Sequence, residues 1–144
     1  MILPLILSMT MSLLPAPPEA TNEISSIVPR VWSVLSGGFW KVDLEAETKQ
    51  GHYRIIETRE GWVYSWTRIF IEWIEEHPDA QAYSFGTAVE ITEVAKAHCA
   101  LRPTFLSTKK GFFVRLQGVE SENRTKSCVF LVELGNPGVY KLVR

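Results

Sequence analysis

Several familiar signatures are missing from this 144-residue chain. It holds no HExxH, no glycine-rich phosphate loop and no GxSxG. The zinc-peptidase, nucleotide-binding and serine-hydrolase readings those motifs carry therefore have no anchor. Neither charge dominates: 15 Lys and Arg stand against 16 Asp and Glu, and Lys109-Lys110 is the only adjacent basic pair. A nucleic-acid binder needs a basic patch or stripe, so that class is excluded. No apolar run reaches the roughly 20 residues that a membrane-spanning helix needs, and no span is expected in the mature chain. There is no internal repeat, and no long amphipathic helix of the kind a βαβ crossover requires.

Cysteine is nearly absent. Cys99 and Cys128 are too far apart for a CxxC ligand pair, and only His52, His77 and His98 could complete a zinc site. In an exported chain the two would make one disulfide, closing a loop of about 29 residues and contributing about 3 kcal/mol. The alternative is two buried free thiols. Export itself is suggested by MILPLILSMTMSLLPAPPEA, whose one charged side chain is Glu19 and whose apolar run extends from Ile2 to Leu14. That length suits the h-region of a signal peptide over residues 1–20, cleaved after Ala16 or Ala20. The flanks fit less well, with no Lys or Arg at the start and Leu14 or Pro18 where a small residue belongs. An apolar arm packed on its own domain is the other reading. Residues 21–35 read as a linker or short N-terminal arm, and residues 36–144 as the domain. Asn123-Arg124-Thr125 matches the N-glycosylation acceptor pattern.

From Trp40 onward the pattern is alternation. Trp40, Val42 and Leu44 alternate with Lys41 and Asp43; Phe85, Thr87, Val89 and Ile91 form one row; Phe112, Val114 and Leu116 form another; Cys128, Phe130, Val132 and Leu134 close the series. About eight such segments, separated by Gly, Pro and Asn turns, predict an all-β domain: a single antiparallel sandwich or small barrel of seven or eight strands. Pro103 places its segment at a sheet edge or a bulge. The run VYSWTRIFIEWIEE, residues 63–76, also permits a helix with one apolar stripe. Its β-branched Val63, Thr67, Ile69, Ile71 and Ile74 favour a strand.

As a strand, that run has two apolar faces. Ile69, Ile71 and Trp73 turn one way, into the core. Tyr64, Trp66, Arg68 and Phe70 turn the other way, and all five tryptophans lie between Trp32 and Trp73. Tyr and Trp in an accessible row suit a recognition surface. The leading expectation is thus an exported, non-catalytic binding or interaction module whose contact residues are Tyr64, Trp66, Arg68 and Phe70. Truncating Trp66 would then leave stability within about 1 kcal/mol. The competing structural account covers this row with residues 25–36 or places it inside a barrel.

Gly38-Phe39-Trp40 resembles the GxW with which lipocalins begin their first strand. The resemblance covers three residues and implies a barrel that carries a small apolar ligand, with Trp40 and Trp66 lining one lumen. A third reading is a small hydrolase using a histidine and one of Glu57, Glu72 or Glu90. No catalytic residue, metal or cofactor is assigned. The partner is expected to be a protein or a small apolar ligand, with oligomeric state open.

Overall fold

The computed structural model describes residues 31–143. The expected signal peptide, residues 1–20, and most of the expected linker lie outside them. Eight strands follow in order: β1 (Val31–Asp43), β2 (Thr48–Glu60), β3 (Trp66–His77), β4 (Ala82–Glu90), β5 (Cys99–Thr108), β6 (Gly111–Glu120), β7 (Ser127–Leu134) and β8 (Tyr140–Val143). A 3-10 turn (Pro78–Ala80) joins β3 to β4, and one short helix, α1 (Thr92–Lys96), joins β4 to β5. The strands form two antiparallel four-stranded meanders, β1-β2-β3-β4 and β5-β6-β7-β8. The fold is an all-β sandwich, and the closed barrel is ruled out because no strand of one sheet pairs with a strand of the other among the described residues.

Period-two alternation explains the interior. Ile69, Ile71 and Trp73 of β3 meet Tyr53 and Ile55 of β2 and, from the other sheet, Leu101, Val114, Leu116 and Val132. The run 63–76 is a strand from Trp66 onward, not a helix. Residues 63–65 belong to the β2–β3 turn. Pro103 lies in β5, an edge strand, where a missing N–H costs no ladder bond.

Two irregularities depart from the sequence pattern. β1 is described from Val31, inside the stretch expected as a linker or short N-terminal arm, and runs through Gly37-Gly38 with a register shift. In β4, a shift between Glu72 and Ile74 of the partner strand pairs Phe85 with outward Ile74 but Val89 with inward Ile71. The bulge flips one end of the row, so Phe85 faces solvent while Val89 packs on the core.

The outer face of the first sheet holds a second apolar layer. Ile56, Phe70 and Ile74 are buried there, and Glu72 with them. Among the described residues its cover is built from arginine stems. Arg68 lies 5.1 Å from the Phe70 ring centroid and holds both Glu90 oxygens, at 2.7 and 2.9 Å. Arg54 pairs with Glu72 and lies over Phe85.

Cys99 and Cys128 are bonded to each other. Their strands, β5 and β7, are separated by β6, so the bridge must pass over it. Gly118 stands opposite Cys128 and Leu101 at the crossing, and a Cβ there would come within 1.7 Å of the Ala100 carbonyl oxygen.

Replacing both cysteines by serine is expected to cost about 3 kcal/mol, read as a lower urea midpoint with unchanged slope. A second expectation concerns alkaline pH. Burial pushes the Tyr53 phenol from 10.0 up to about 12. The unfolded phenol loses its proton first, so between those values the unfolded chain holds fewer protons and stability falls as pH rises. A loss of about 2–3 kcal/mol by pH 12 is expected, and Tyr53→Phe should flatten that part of the pH profile.

Candidate functional site

The β2–β3 turn, residues 61–65, presents three consecutive bulky apolar side chains to solvent. Trp62 is fully exposed, Val63 is 80% exposed and Tyr64 56%. Such a run is unusual on a soluble fold, where exposed apolar residues are normally scattered. Gly61 has φ +87°, a conformation that glycine adopts freely, and a Cβ on it would sit 2.4 Å from the Tyr64 carbonyl oxygen.

The base of the turn is pinned to the second sheet. The Ser121 hydroxyl donates to the Ser65 carbonyl at 2.6 Å. The Trp66 indole stacks on the His98 imidazole, with centroids 5.0 Å apart and planes 29° apart. His98 reaches this position through φ +51° directly before the disulfide at Cys99, and its carbonyl accepts the Ser121 N–H at 3.0 Å. Trp32 lies at the same end of the sheet, exposed, with the Arg59 guanidinium 4.5 Å above its ring. Arg59 Nε in turn donates to buried Glu57, which also accepts from the Ser33 hydroxyl at 2.7 Å.

The four contact residues expected from the sequence therefore divide. Tyr64 belongs to the exposed turn. Trp66 is the half-buried base beneath it, held by the His98 stack. Arg68 is engaged by Glu90 and Glu60. Phe70 is only 7% exposed, so it is not available as part of an open row. The sequence reading missed Trp62 and Val63 because it started the strand at Val63; the glycine at 61 was the signal that a turn, not a strand, follows.

The other candidate chemistry separates as well. Glu57, Glu72 and Glu90 each hold an arginine, Arg59, Arg54 and Arg68 respectively. His52 Nδ1 meets Glu76 Oε1 at 2.9 Å on the outer face, beside the Tyr83 ring. His77 Nε2 is 2.8 Å from the Ser84 hydroxyl and 4.0 Å from Glu75. Both contacts of His77 use one ring nitrogen, so the serine and the carboxylate cannot occupy opposite ends of the imidazole as a relay requires. Cys99 is in the disulfide and offers no thiol. Among the described residues, no group of three His, Cys, Asp or Glu side chains could hold a metal.

A separate cleft of about 340 Å³ lies at the far end of the first sheet. Trp40, Val42, Leu44 and Trp73 line it, with Lys49 and Glu75 3.9 Å apart on its wall. Both indole N–H groups are already donated, from Trp40 to the His52 carbonyl and from Trp73 to the Gly135 carbonyl, so the tryptophans offer it apolar surface alone. Trp40 pairs with Gly51 and Trp66 with Glu60, at opposite ends of β2. They do not line one lumen.

Among the described residues, no helix is long and apolar enough to cross a membrane. Comparison with known proteins finds no matching family model, no matching curated protein and no matching solved structure.

The turn and its base should respond differently to truncation. Trp62→Ala is expected to change unfolding free energy by less than about 0.5 kcal/mol, because nothing packs on it. Trp66→Ala, which removes the stack on His98, should cost about 1–3 kcal/mol. Chemical denaturation of the two variants beside the parent reads this contrast.

Proposed function

We propose that the protein is an exported, non-catalytic interaction module whose contact surface is the aromatic β2–β3 turn. One observation carries the reading: Trp62, Val63 and Tyr64 stand fully or largely in solvent on a turn whose base is pinned to the opposite sheet. Because the base is pinned, the backbone of the turn has less conformational freedom to lose on meeting a partner, which favours binding. Aromatic anchors of this kind supply most of the energy of a contact. Export is supported by the buried Cys99–Cys128 bond, which suits an oxidising compartment, and by the apolar run Ile2–Leu14. The arginine-held carboxylates support the absence of acid–base catalysis.

A second reading draws on the Trp40 cleft, whose apolar wall and volume suit a small amphipathic ligand. In that reading the protein carries the ligand, and the turn is incidental.

One set of measurements separates the two. Mass spectrometry of the protein recovered from the exported fraction should give an N-terminus near residue 17 or 21 and a mass two hydrogens short of the dithiol. Retention of the binding partner, whether macromolecule or co-purifying small molecule, should be lost in Trp62→Ala and kept in Trp40→Phe if the turn is the contact surface. The opposite pattern would establish the cleft.

A further inference from the structure

We infer that what the β2–β3 turn contacts is a lipid surface: Trp62, Val63 and Tyr64 enter the interfacial layer of a phospholipid bilayer. The inference rests on the reading of the turn as the contact surface and goes further by naming what it meets. Two observations lead to it. First, the turn is convex. Contact residues for a folded protein sit in packed patches ringed by neighbours that exclude water. Trp62, by contrast, has its whole side chain free. A protrusion of that shape is accommodated by a fluid phase without a matching pocket. Second, the residue types are those of the membrane–water interface: an indole and a phenol, each an apolar body with a polar tip, flank one aliphatic residue. Trp32, exposed at the same end with the Arg59 guanidinium on its ring, supplies a further indole and a cation at headgroup level.

The charges nearby indicate which lipid. Arg59 is held by Glu57, Arg68 by Glu90 and Glu60, and Lys126 by Glu120; the β6–β7 turn, joined to Ser65 through Ser121, adds one Glu122 and one Arg124. These groups carry one acidic residue more than basic ones, so attraction to an anionic surface contributes little, and insertion of the apolar tip drives binding. Zwitterionic phospholipid is the fitting surface.

The test uses the exported chain, its N-terminus defined by mass spectrometry, and unilamellar vesicles of phosphatidylcholine. The parent protein should co-sediment with vesicles. Replacing Trp62, Val63 and Tyr64 together by serine should lower the partition coefficient about tenfold or more. The pair Trp62→Phe and Tyr64→Phe, which keeps the apolar tip, should retain binding within about threefold. Raising salt from about 0.05 to 0.5 M should change the parent's partition less than about twofold. Brominated phosphatidylcholine should quench tryptophan emission in the parent and less in Trp62→Phe. A parent protein that stays in the supernatant at millimolar lipid overturns the inference, as does a serine variant that is folded by its thermal transition and binds like the parent, or binding that collapses in high salt. If vesicles are ignored while a protein partner is retained through Trp62, the lipid inference falls and the interaction-module reading stands.

Discussion

The two sheets share no hydrogen-bonded ladder among the described residues, so their relative placement depends on side chains that reach across the gap. Three polar stitches do this alongside the apolar core. Thr67 of β3 takes the Leu101 N–H at 2.8 Å and gives its hydroxyl proton to the Leu101 carbonyl at 3.4 Å. At one end Ser121 holds Ser65. At the other, the Gly135 carbonyl accepts from both Tyr53, at 3.0 Å, and Trp73, at 3.1 Å. The Thr67–Leu101 contact is buried, so breaking it costs the desolvation of what remains and not merely one bond, whereas the other two are half-buried. A sandwich tied at both ends resists sliding of one sheet over the other. That resistance fixes the aromatic turn, because its base residue Ser65 is itself one of the stitched groups.

The same requirement explains why the charged residues on the first sheet are structural. Its outer face buries Ile56, Phe70 and Ile74 beside a fully buried Glu72 whose Oε1 has no hydrogen-bond partner among the described residues. A carboxylate in that position is stable only with a cation beside it, and Arg54 supplies one. Arg68 serves two purposes, closing over Phe70 and chelating Glu90. The pair His52–Glu76 is half-buried on the outer face of this sheet, and the pair His77–Ser84 is exposed.

Most of the architecture was legible because alternation is a local property. The inward set Ile69, Ile71 and Trp73, the edge position of Pro103 and the aligned rows of β6 and β7 follow from reading every second residue. What escaped that reading depends on partners distant in the chain. Phe85 faces outward because β4 bulges opposite Trp73, and nothing in AYSFGTAVE states which residue it will oppose. Phe70 is shut in by Arg68, a neighbour on the same strand whose position is set by Glu90 across the ladder. α1 is five residues long, too short to leave a periodic trace, and its single buried residue is Val94. The turn differs for another reason: Val63 and Tyr64 carry strong strand propensity, so a strand run read from Val63 takes in turn residues that precede β3.

That misreading points to the meaning of the turn. Within residues 61–66 the fold constrains only the ends: Gly61 by its positive φ, Ser65 by its bond from Ser121, and Trp66 by its stack on His98. Trp62 touches nothing that the sandwich needs, and Val63 and Tyr64 are exposed beside it. Polar residues would make the same turn with less apolar surface left in water and a lower risk of aggregation. The apolar choice at all three positions is thus a cost to the isolated domain, offset only when the tip leaves water. A core residue is explained by what it packs against inside the molecule. In the proposed reading these three are explained by something outside it, and the stitched base keeps the ends of the turn in place for that contact.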